Sequence, residues 1–255
     1  MEFADQINAR AFASRRARAT YAALAERGLT ECERICLSHV PEDRRDSVLD
    51  IGVGAGRTAP GLARAFRCYR GIDYSGALIE EARTRFPDLA FGVADARSLD
   101  ENETFDCVVF SYNGIDYLPY EDRRGVQEAV FRALKPGGYF FFSTHNAGFH
   151  RAKPALEHVF IKELFTPWPD IAGIVRRVAR FRRQYADPAG RYLLLNNLGL
   201  GFRLMHVYVD VAVERDVLRA IGFEVLATIG ERRREPGYDA GDPAVHIVSR
   251  KPLAA

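Results

Sequence analysis

Apolar runs alternate with polar, glycine-containing breaks through the first 145 residues. The runs have the length and composition of buried strands and lie at 47–51, 69–72, 89–94, 105–110 and 139–143. Two stretches between them repeat apolar residues at helical spacing, 75–86 and 121–134. The run at 105–110, F-D-C-V-V-F, is nearly continuous, which is typical of a strand buried on both faces of a parallel sheet. The pattern predicts an α/β domain built on a parallel sheet.

A glycine-rich turn follows the first predicted strand. Asp50 lies near the end of that strand, and Gly52, Gly54 and Gly56 follow at alternate positions before a helical pattern begins. Glycine permits positive φ angles and a close approach of a ligand to the main chain, and a helix N-terminus favours polar or anionic groups. The turn therefore predicts a ligand site, with a tight strand–helix connection that binds nothing as the alternative.

The second predicted strand ends at Asp73, about 20 positions after the first glycine. An acidic residue at this distance is the ribose-hydroxyl ligand of many nucleotide sites. The glycines read D-x-G-x-G-x-G, whereas nicotinamide dehydrogenases carry G-x-G-x-x-G. The sequence therefore keeps the acidic residue of a nucleotide site but departs from the dehydrogenase glycine pattern.

The sequence resembles the class I S-adenosylmethionine (SAM)-dependent methyltransferases. D-I-G-V-G-A-G at 50–56 and L-K-P-G-G-Y-F-F-F-S-T-H-N at 134–146 carry the resemblance, which covers five consecutive strand–helix elements. It implies a Rossmann-like, mostly parallel sheet of seven strands with the last strand antiparallel. Seven strands are available, because the runs at 223–229 and 244–249 complete the set.

The resemblance also implies a set of SAM-binding residues. They are Asp50, Gly52, Gly54, Gly56, Asp73, Tyr74, Asp95, Ala96 and Ser111. Asp73 would bind the ribose hydroxyls, and Asp95 with Ala96 would bind the adenine ring. An Asx turn would use Asp95 equally well.

Candidates for catalysis come from the strand ends near the expected reversal of strand order, where ligands bind in open α/β sheets. This places Ser111–Tyr117 near the reactive methyl group. A general base assists a hydroxyl acceptor but is not needed for an amine. The candidate bases are Asp116, His145, Tyr208 and His206. The expected activity is methyl transfer to a small-molecule O or N acceptor, and no carboxylate arrangement suggests a catalytic metal.

The remaining segments lie before and after these strand–helix elements. We expect one methyltransferase domain over 1–255, with a helical segment at 1–46 and an inserted cap at 146–200. Helices are predicted at Ala11–Arg27, at Thr30–His39 with a Thr30–Glu33 capping box, and at Glu214–Ile221. Phe202–Val213 is read as a strand or cap edge, and Tyr21 is a candidate lid residue.

Composition and net charge limit the classes of binding partner that the sequence suggests. The net charge of +2 on 255 residues gives no argument for nucleic acid or membrane binding. The arginines at 176–183 nevertheless keep an RNA-directed methyltransferase as an alternative, beside a nicotinamide-dependent oxidoreductase. Neither a long apolar run nor a secretory signal is present. Cys32 and Cys36 lie one helical turn apart and could form half of a metal site, but no His or Cys partner pair is nearby, which favours two thiols on a partly buried helix face. We expect a cytoplasmic enzyme that does not bind a membrane, with a homo-oligomer as an open alternative.

Overall fold

A computed structural model describes residues 2–152, 185–197, 200 and 204–253, and ten strands of this part form one sheet. The strands are β1 (Ser47–Ile51), β2 (Cys68–Asp73), β3 (Ala90–Val93), β4 (Phe105–Phe110), β5 (Leu134–Asn146), β6 (Tyr185–Ala186), β7 (Tyr192–Asn197), β8 (Leu204–Val209), β9 (Glu224–Gly230) and β10 (Ala244–Arg250).

Seven of these strands form the predicted Rossmann-like sheet. β3, β2, β1, β4 and β5 lie side by side in that order and are parallel. β10 pairs antiparallel with β5 and with β9, which completes the sheet. The predicted fold class, with an antiparallel last strand, is confirmed. Strand order reverses between β1 and β4, so the ends of these two strands are where a ligand is expected.

The other three strands extend the sheet beyond the predicted seven. β8 pairs in parallel with the end of β5, where His145 lies opposite Tyr208, and β7 pairs antiparallel with β8 and β6. Most of the predicted cap at 146–200, including the arginines at 176–183, lies outside the described residues. Its described parts are a short helix, β6 and β7.

Helices cover both faces of the sheet. They are α1 (Glu2–Phe12), α2 (Arg15–Ala25), α3 (Glu31–Ser38), α4 (Ala59–Ala65), α5 (Gly76–Arg85), α6 (Tyr120–Ala133), α7 (Ala147–Ala152) and α8 (Val211–Ile221). None of these described helices has the length and apolar character needed to span a membrane. The capping box of α3 is confirmed, because Thr30 accepts from the Glu33 N–H and Glu33 accepts from the Thr30 N–H.

Two helix predictions were wrong. The single helix predicted at Ala11–Arg27 is divided into α1 and α2, because the Ser14 side chain caps α2 by accepting from the Ala17 N–H. The helix predicted from Glu214 begins at Val211, where the carboxylate of Asp210 accepts from the N–H groups of Ala212 and Val213. The predicted strand Phe202–Val213 correspondingly ends at Val209.

Alternate residues of the central strands enter two separate cores. In β4, Val108 and Phe110 join the core that includes residues of α6 and α8, whereas Cys107 and Val109 join the core that includes residues of α3 and α4. All six residues of β4 are buried, as the continuous apolar run predicted. This double burial fixes the ends of β1 and β4, on which the candidate site is built.

Candidate functional site

The turn after β1 has the strained conformation that its glycines permit. Gly52, Gly54 and Gly56 have φ angles of 67°, 56° and 91°. The Gly54 N–H donates to Asp73 Oδ2 over 2.9 Å, and the Ser75 N–H donates to Asp73 Oδ1 over 2.8 Å. Burial raises the pKa of Asp73 to about 6, although both hydrogen bonds oppose the shift. Asp73 thus joins the glycine turn to the start of α5.

A cavity of about 300 Å³, here called the donor cavity, opens beside this turn. Seven of the nine predicted cofactor residues line it: Gly52, Gly54, Asp73, Tyr74, Asp95, Ala96 and Ser111. Sequence analysis missed the wall that α1 supplies, which includes Gln6, Asn8 and Phe12. The Asn8 amide exchanges two hydrogen bonds with the backbone of Met205, so α1 is fastened to β8. No sequence signal marks this contact.

The two remaining predicted cofactor residues lie outside the donor-cavity lining. The Asp50 carboxylate is buried, where its Oδ2 accepts from the hydroxyls of Thr58 at 2.5 Å and Tyr69 at 3.0 Å. Burial raises the pKa of Asp50 to about 7. An ideal Cβ at Gly56 would lie only 2.8 Å from the ring of Phe86. Asp50 and Gly56 therefore lie outside the donor-cavity lining and help to fix the conformation of the glycine turn.

Asp95 occupies the position that both of its predicted roles require. Its Oδ1 accepts from the Arg97 N–H at 2.9 Å, which caps the short 3-10 turn Ala96–Ser98, and it also lines the donor cavity. The Arg97 guanidinium beside this carboxylate lowers the pKa of Asp95. The carboxylate is thus both a turn cap and an anionic group at the cavity wall.

A second cavity, about 540 Å³, lies on the other side of three tyrosines. Tyr21, Tyr112 and Tyr117 line both cavities. The other walls of the second cavity come from α3, the end of β5, β8 and the segment between β9 and β10. Three histidines line it: His145, His206 and His246. We name this space the acceptor cavity.

The predicted catalytic residues Asp116 and His145 are in direct contact. Asp116 Oδ2 lies 2.6 Å from His145 Nδ1 and also accepts from the His145 N–H at 2.7 Å. Asp116 Oδ1 accepts from Thr144 at 2.5 Å and from Arg123 at 2.8 Å. These donors, His145 foremost, lower the pKa of Asp116 and outweigh the opposing effect of its complete burial. His145 alone of the pair lines the acceptor cavity.

Arg123 extends this pair into a buried ionic network. Its guanidinium donates to Asp116 and, over 2.6 Å, to Glu214 Oε1 of α8. Glu214 also accepts from the Gln127 side chain at 2.7 Å. Only 2% of the Arg123 side chain is exposed. Sequence analysis missed Arg123 and Glu214, because charged residues on helices read as solvent-facing positions.

His206 and Tyr208 occupy different places around His145. The His206 ring stacks on the His145 ring with 5.1 Å between centroids, and it faces the acceptor cavity. The Tyr208 ring lies 4.5 Å from the His145 ring, outside the described lining of either cavity. The catalytic role predicted for Tyr208 stays a prediction. In the described part of the chain, no three His, Cys, Asp or Glu side chains are grouped so that they could hold a metal ion.

The comparisons with known proteins agree with this geometry. Residues 48–138 match the model of a family described as a methyltransferase domain. The chain is 28% identical over 161 residues to a trans-aconitate 2-methyltransferase of Methylobacterium radiotolerans, covering 62% of this chain and 59% of that protein. It is 29% identical over 102 residues to a dTDP-3-amino-3,4,6-trideoxy-alpha-D-glucopyranose N,N-dimethyltransferase of Streptomyces venezuelae, covering 40% and 42%.

A solved structure extends the likeness to most of the chain. The CcbJ methyltransferase of Streptomyces caelestis superposes with a TM-score of 0.60 at 17% identity, covering 88% of this chain and 89% of that one. At this identity the likeness concerns the fold. The alignments with the two curated relatives span well under two thirds of their length. Residues 48–138 thus match a methyltransferase domain, and this match confirms the resemblance to class I SAM-dependent methyltransferases seen in the sequence.

Proposed function

We propose that this protein transfers a methyl group from SAM to a small molecule bound in the acceptor cavity. The observation that carries the proposal is the pair of cavities that share Tyr21, Tyr112 and Tyr117. One cavity adjoins the glycine turn and Asp73, and the other adjoins His145. A methyl donor and an acceptor held in this way would face each other across the end of β4.

The donor cavity fits SAM in its chemistry. Asp73 accepts one backbone N–H on each oxygen, and each oxygen keeps a free lone pair for a ribose hydroxyl. Gly54 has an ideal Cβ position that meets only Tyr21 at 3.7 Å, so the absence of a side chain leaves room beside the turn. When bound there, SAM would supply a methyl group on a sulfonium, which is already activated for transfer. The protein would align the acceptor and exclude water.

The acceptor cavity fits a small molecule better than a polymer. In the described part of the chain, its walls come from several short elements. Arg234 lines the cavity and Arg57 contacts the wall residue Glu33, and each of these arginines is already in an ion pair. Arg234 contacts Glu31 at 2.6 Å, and Arg57 contacts Glu33 at 2.5 Å. The two curated relatives are named for small-molecule methylation, of trans-aconitate and of an amino sugar nucleotide. We propose an O or N acceptor of this size class.

Calorimetric titration tests the proposal. SAM and S-adenosylhomocysteine (SAH) should bind in the micromolar range, and NAD should give no heat. The absence of binding heat at millimolar SAM would reject the proposal, and tight NAD binding would favour an oxidoreductase. A salt-dependent mobility shift of RNA would support the RNA-directed alternative, because phosphate contacts weaken as salt rises.

A further inference from the structure

We propose that His145 is the general base of an O-methyl transfer, and that the acceptor is a hydroxyl compound held between His145 and His206. This inference rests on the proposed function and names the substrate class of the same site. Its support comes from four features of the described residues: the tautomer of His145, the charge behind it, the state of the neighbouring titratable groups and the unpartnered ring of His206.

The contacts of His145 fix which ring nitrogen holds the proton. Asp116 is held ionised by Arg123 and can only accept, so the His145 nitrogen 2.6 Å away, Nδ1, carries the hydrogen. The other nitrogen, Nε2, then has a lone pair on the acceptor-cavity side. It lies 3.2 Å from the amide nitrogen of Asn113, which donates to this lone pair, so a hydroxyl acceptor must displace the amide to reach it. A half-turn of that amide would present its oxygen to a protonated ring.

Asn113 is itself held in place for this contact. Its backbone adopts a left-handed conformation with φ of 57°, and its N–H donates to Ser143 Oγ over 2.7 Å. A left-handed non-glycine residue costs free energy and is a recurring feature of functional sites. The turn at Asn113-Gly114 therefore also places a side chain against His145.

A buried pair of carboxylates that share one guanidinium lies behind His145. Glu214 and Asp116 are each negative and Arg123 is positive, so the buried chain from α8 to β5 carries one net negative charge. Protonation of His145 would neutralise that charge in a region of low dielectric, where the attraction is strong. Asp116 thus acts as a positioning residue that also stabilises the imidazolium.

The other titratable groups around His145 are poorly suited to take a proton from a hydroxyl. Burial raises the pKa of Tyr117 well above its usual range and that of Tyr21 to about 12, so both stay protonated. Burial lowers the pKa of His206 well below its usual range and that of His246 to about 4. Glu231 is the exception, because burial raises its pKa and makes its carboxylate a stronger base; it is the competing candidate in the lining of the acceptor cavity. Tyr208 packs behind the His145 ring.

His206 supplies the second contact. Both of its ring nitrogens are buried and have no hydrogen-bond partner within the described part of the chain, and the residue is 2% exposed. A buried polar group without a partner costs about 1–3 kcal/mol, and such groups in native proteins call for a ligand or water. The ring stacks on His145 and contacts Tyr117 edge-on, at 5.1 and 4.4 Å. A second polar group on the acceptor would satisfy it.

The proposed step balances. The acceptor oxygen forms its bond to the methyl carbon as the carbon–sulfur bond of the donor breaks with its electron pair left on sulfur. His145 Nε2 takes the hydroxyl proton, and Asp116 and the rotated Asn113 amide stabilise the imidazolium. The products are a methyl ether and the neutral thioether. The proton leaves to solvent through the acceptor cavity.

The tautomer is tested without turnover. Long-range proton–nitrogen NMR on histidine-labelled protein saturated with SAH would resolve the six histidines, assigned with single His→Gln variants. The proposal expects the hydrogen of the neutral His145 ring on Nδ1 and a neutral His206 ring. A hydrogen on Nε2 of neutral His145 would overturn the proposal whatever the acceptor is.

Turnover tests the substrate class. Methyl-labelled SAM is offered with matched pairs of probes, such as benzyl alcohol with benzylamine and phenol with aniline. Transfer to hydroxyl members, with kcat lowered about 10²–10⁴-fold by His145→Gln and KM little changed, supports the proposal. His39→Gln, on the end of α3, is the matched control and should leave kcat unchanged. His206→Phe should mainly raise the acceptor KM.

Two results would overturn the inference while leaving the proposed function intact. One is methylation of amines only, and the other is a His145→Gln variant that retains more than a tenth of the wild-type kcat on a hydroxyl acceptor. Failure of the wild-type protein to bind SAM would instead reject the proposed function itself. If no probe is methylated, the tautomer measurement alone decides.

Discussion

The hydroxyl groups of Tyr21 and Tyr117 lie 3.2 Å apart and join helix α2 to the loop that follows β4. Both rings pack on Phe12 of α1, at centroid distances of 5.5 and 4.9 Å. The N-terminal helices therefore supply part of the wall between the two cavities, and their contact with the sheet decides whether that wall exists. This agrees with the lid role considered for Tyr21 from the sequence.

Tyr21→Phe should lower activity more than it lowers stability. The ring keeps its packing on Phe12, and only the hydroxyl contact with Tyr117 is lost, which costs about 1 kcal/mol. Tyr21→Ala also removes the ring beside Gly54 and should weaken SAM binding further. Calorimetry and thermal unfolding of the two variants separate these effects. Equal SAM affinity in Tyr21→Ala and wild type would show that α2 does not cover the donor.

Asp73→Ala should weaken SAM binding by about 1–3 kcal/mol, because ribose hydroxyls would lose their charged acceptor. The variant also leaves the N–H groups of Gly54 and Ser75 without their acceptor, so thermal unfolding must be measured beside the titration. The exposed Asp88→Ala is the control for lost charge. Wild-type affinity in a folded Asp73→Ala protein would mean that the end of β2 does not bind the cofactor.

Two glycine variants separate turn geometry from general helix effects. Gly54→Ala forces a side chain into a left-handed conformation with φ of 56°, at a cost of about 1–2 kcal/mol, and fills space beside the donor cavity. Gly125→Ala in α6 has open space around its new Cβ and should stabilise the protein by about 0.5–1 kcal/mol. SAM affinity should fall only in the first variant. An equal fall in SAM affinity in both variants would show that the turn has no special role in SAM binding.

Arg123→Met should be strongly destabilising. It leaves Asp116 and Glu214 as buried carboxylates without their shared cation, and breaking a buried pair in this way costs about 3–5 kcal/mol. The neighbouring Arg124→Met is a matched control, since Arg124 is exposed and its ion pair within the described residues is with Glu128 on the same helix; it should cost about 0.5 kcal/mol or less. Adding Glu214→Gln to Arg123→Met should recover part of the loss. Denaturant unfolding of the four proteins gives these differences.

Asp50→Asn should change the pH dependence of stability. Burial raises the folded-state pKa of Asp50 to about 7 from an ordinary value of 3.8. Between these values the folded protein holds a proton that the unfolded chain has released, so the free energy of unfolding decreases as pH rises. Asn cannot ionise, so the variant should gain stability relative to wild type from pH 5 to pH 8. The exposed Asp88→Asn is the control. Parallel curves of unfolding free energy against pH for Asp50→Asn and wild type would contradict the raised pKa of Asp50.

The sequence predicted most of the fold because its signals are local. The apolar run of β4, the glycines after β1 and Asp73 at the end of β2 each identify their own element and lie where predicted. Helix starts at Arg15 and Val211 were missed because single capping side chains, Ser14 and Asp210, set them. Such a cap is hard to recognise in the sequence when the residues around it are compatible both with a helix and with the structure that precedes it.

The site was predicted less completely because it depends on pairings distant in sequence. Asp116 and His145 were both candidates, but their contact depends on the end of β5 and a short turn meeting across 29 positions. Arg123 with Glu214, 91 positions apart, and Asn8 with Met205, 197 apart, have no local signature at all. His206 and Tyr208, two positions apart on one face of β8, both contact the His145 ring, and His206 is the one of the two that lines the acceptor cavity.

The buried network from Glu214 through Arg123 and Asp116 to His145 is completed in a set order while the chain is synthesised on the ribosome. The strands and helices that hold Arg123, Asp116 and His145 are synthesised well before α8. Until Glu214 has emerged and docked, Arg123 has only one of its two buried carboxylates. A nascent chain can thus form the donor turn early, yet it completes the network behind His145 only after α8 has emerged.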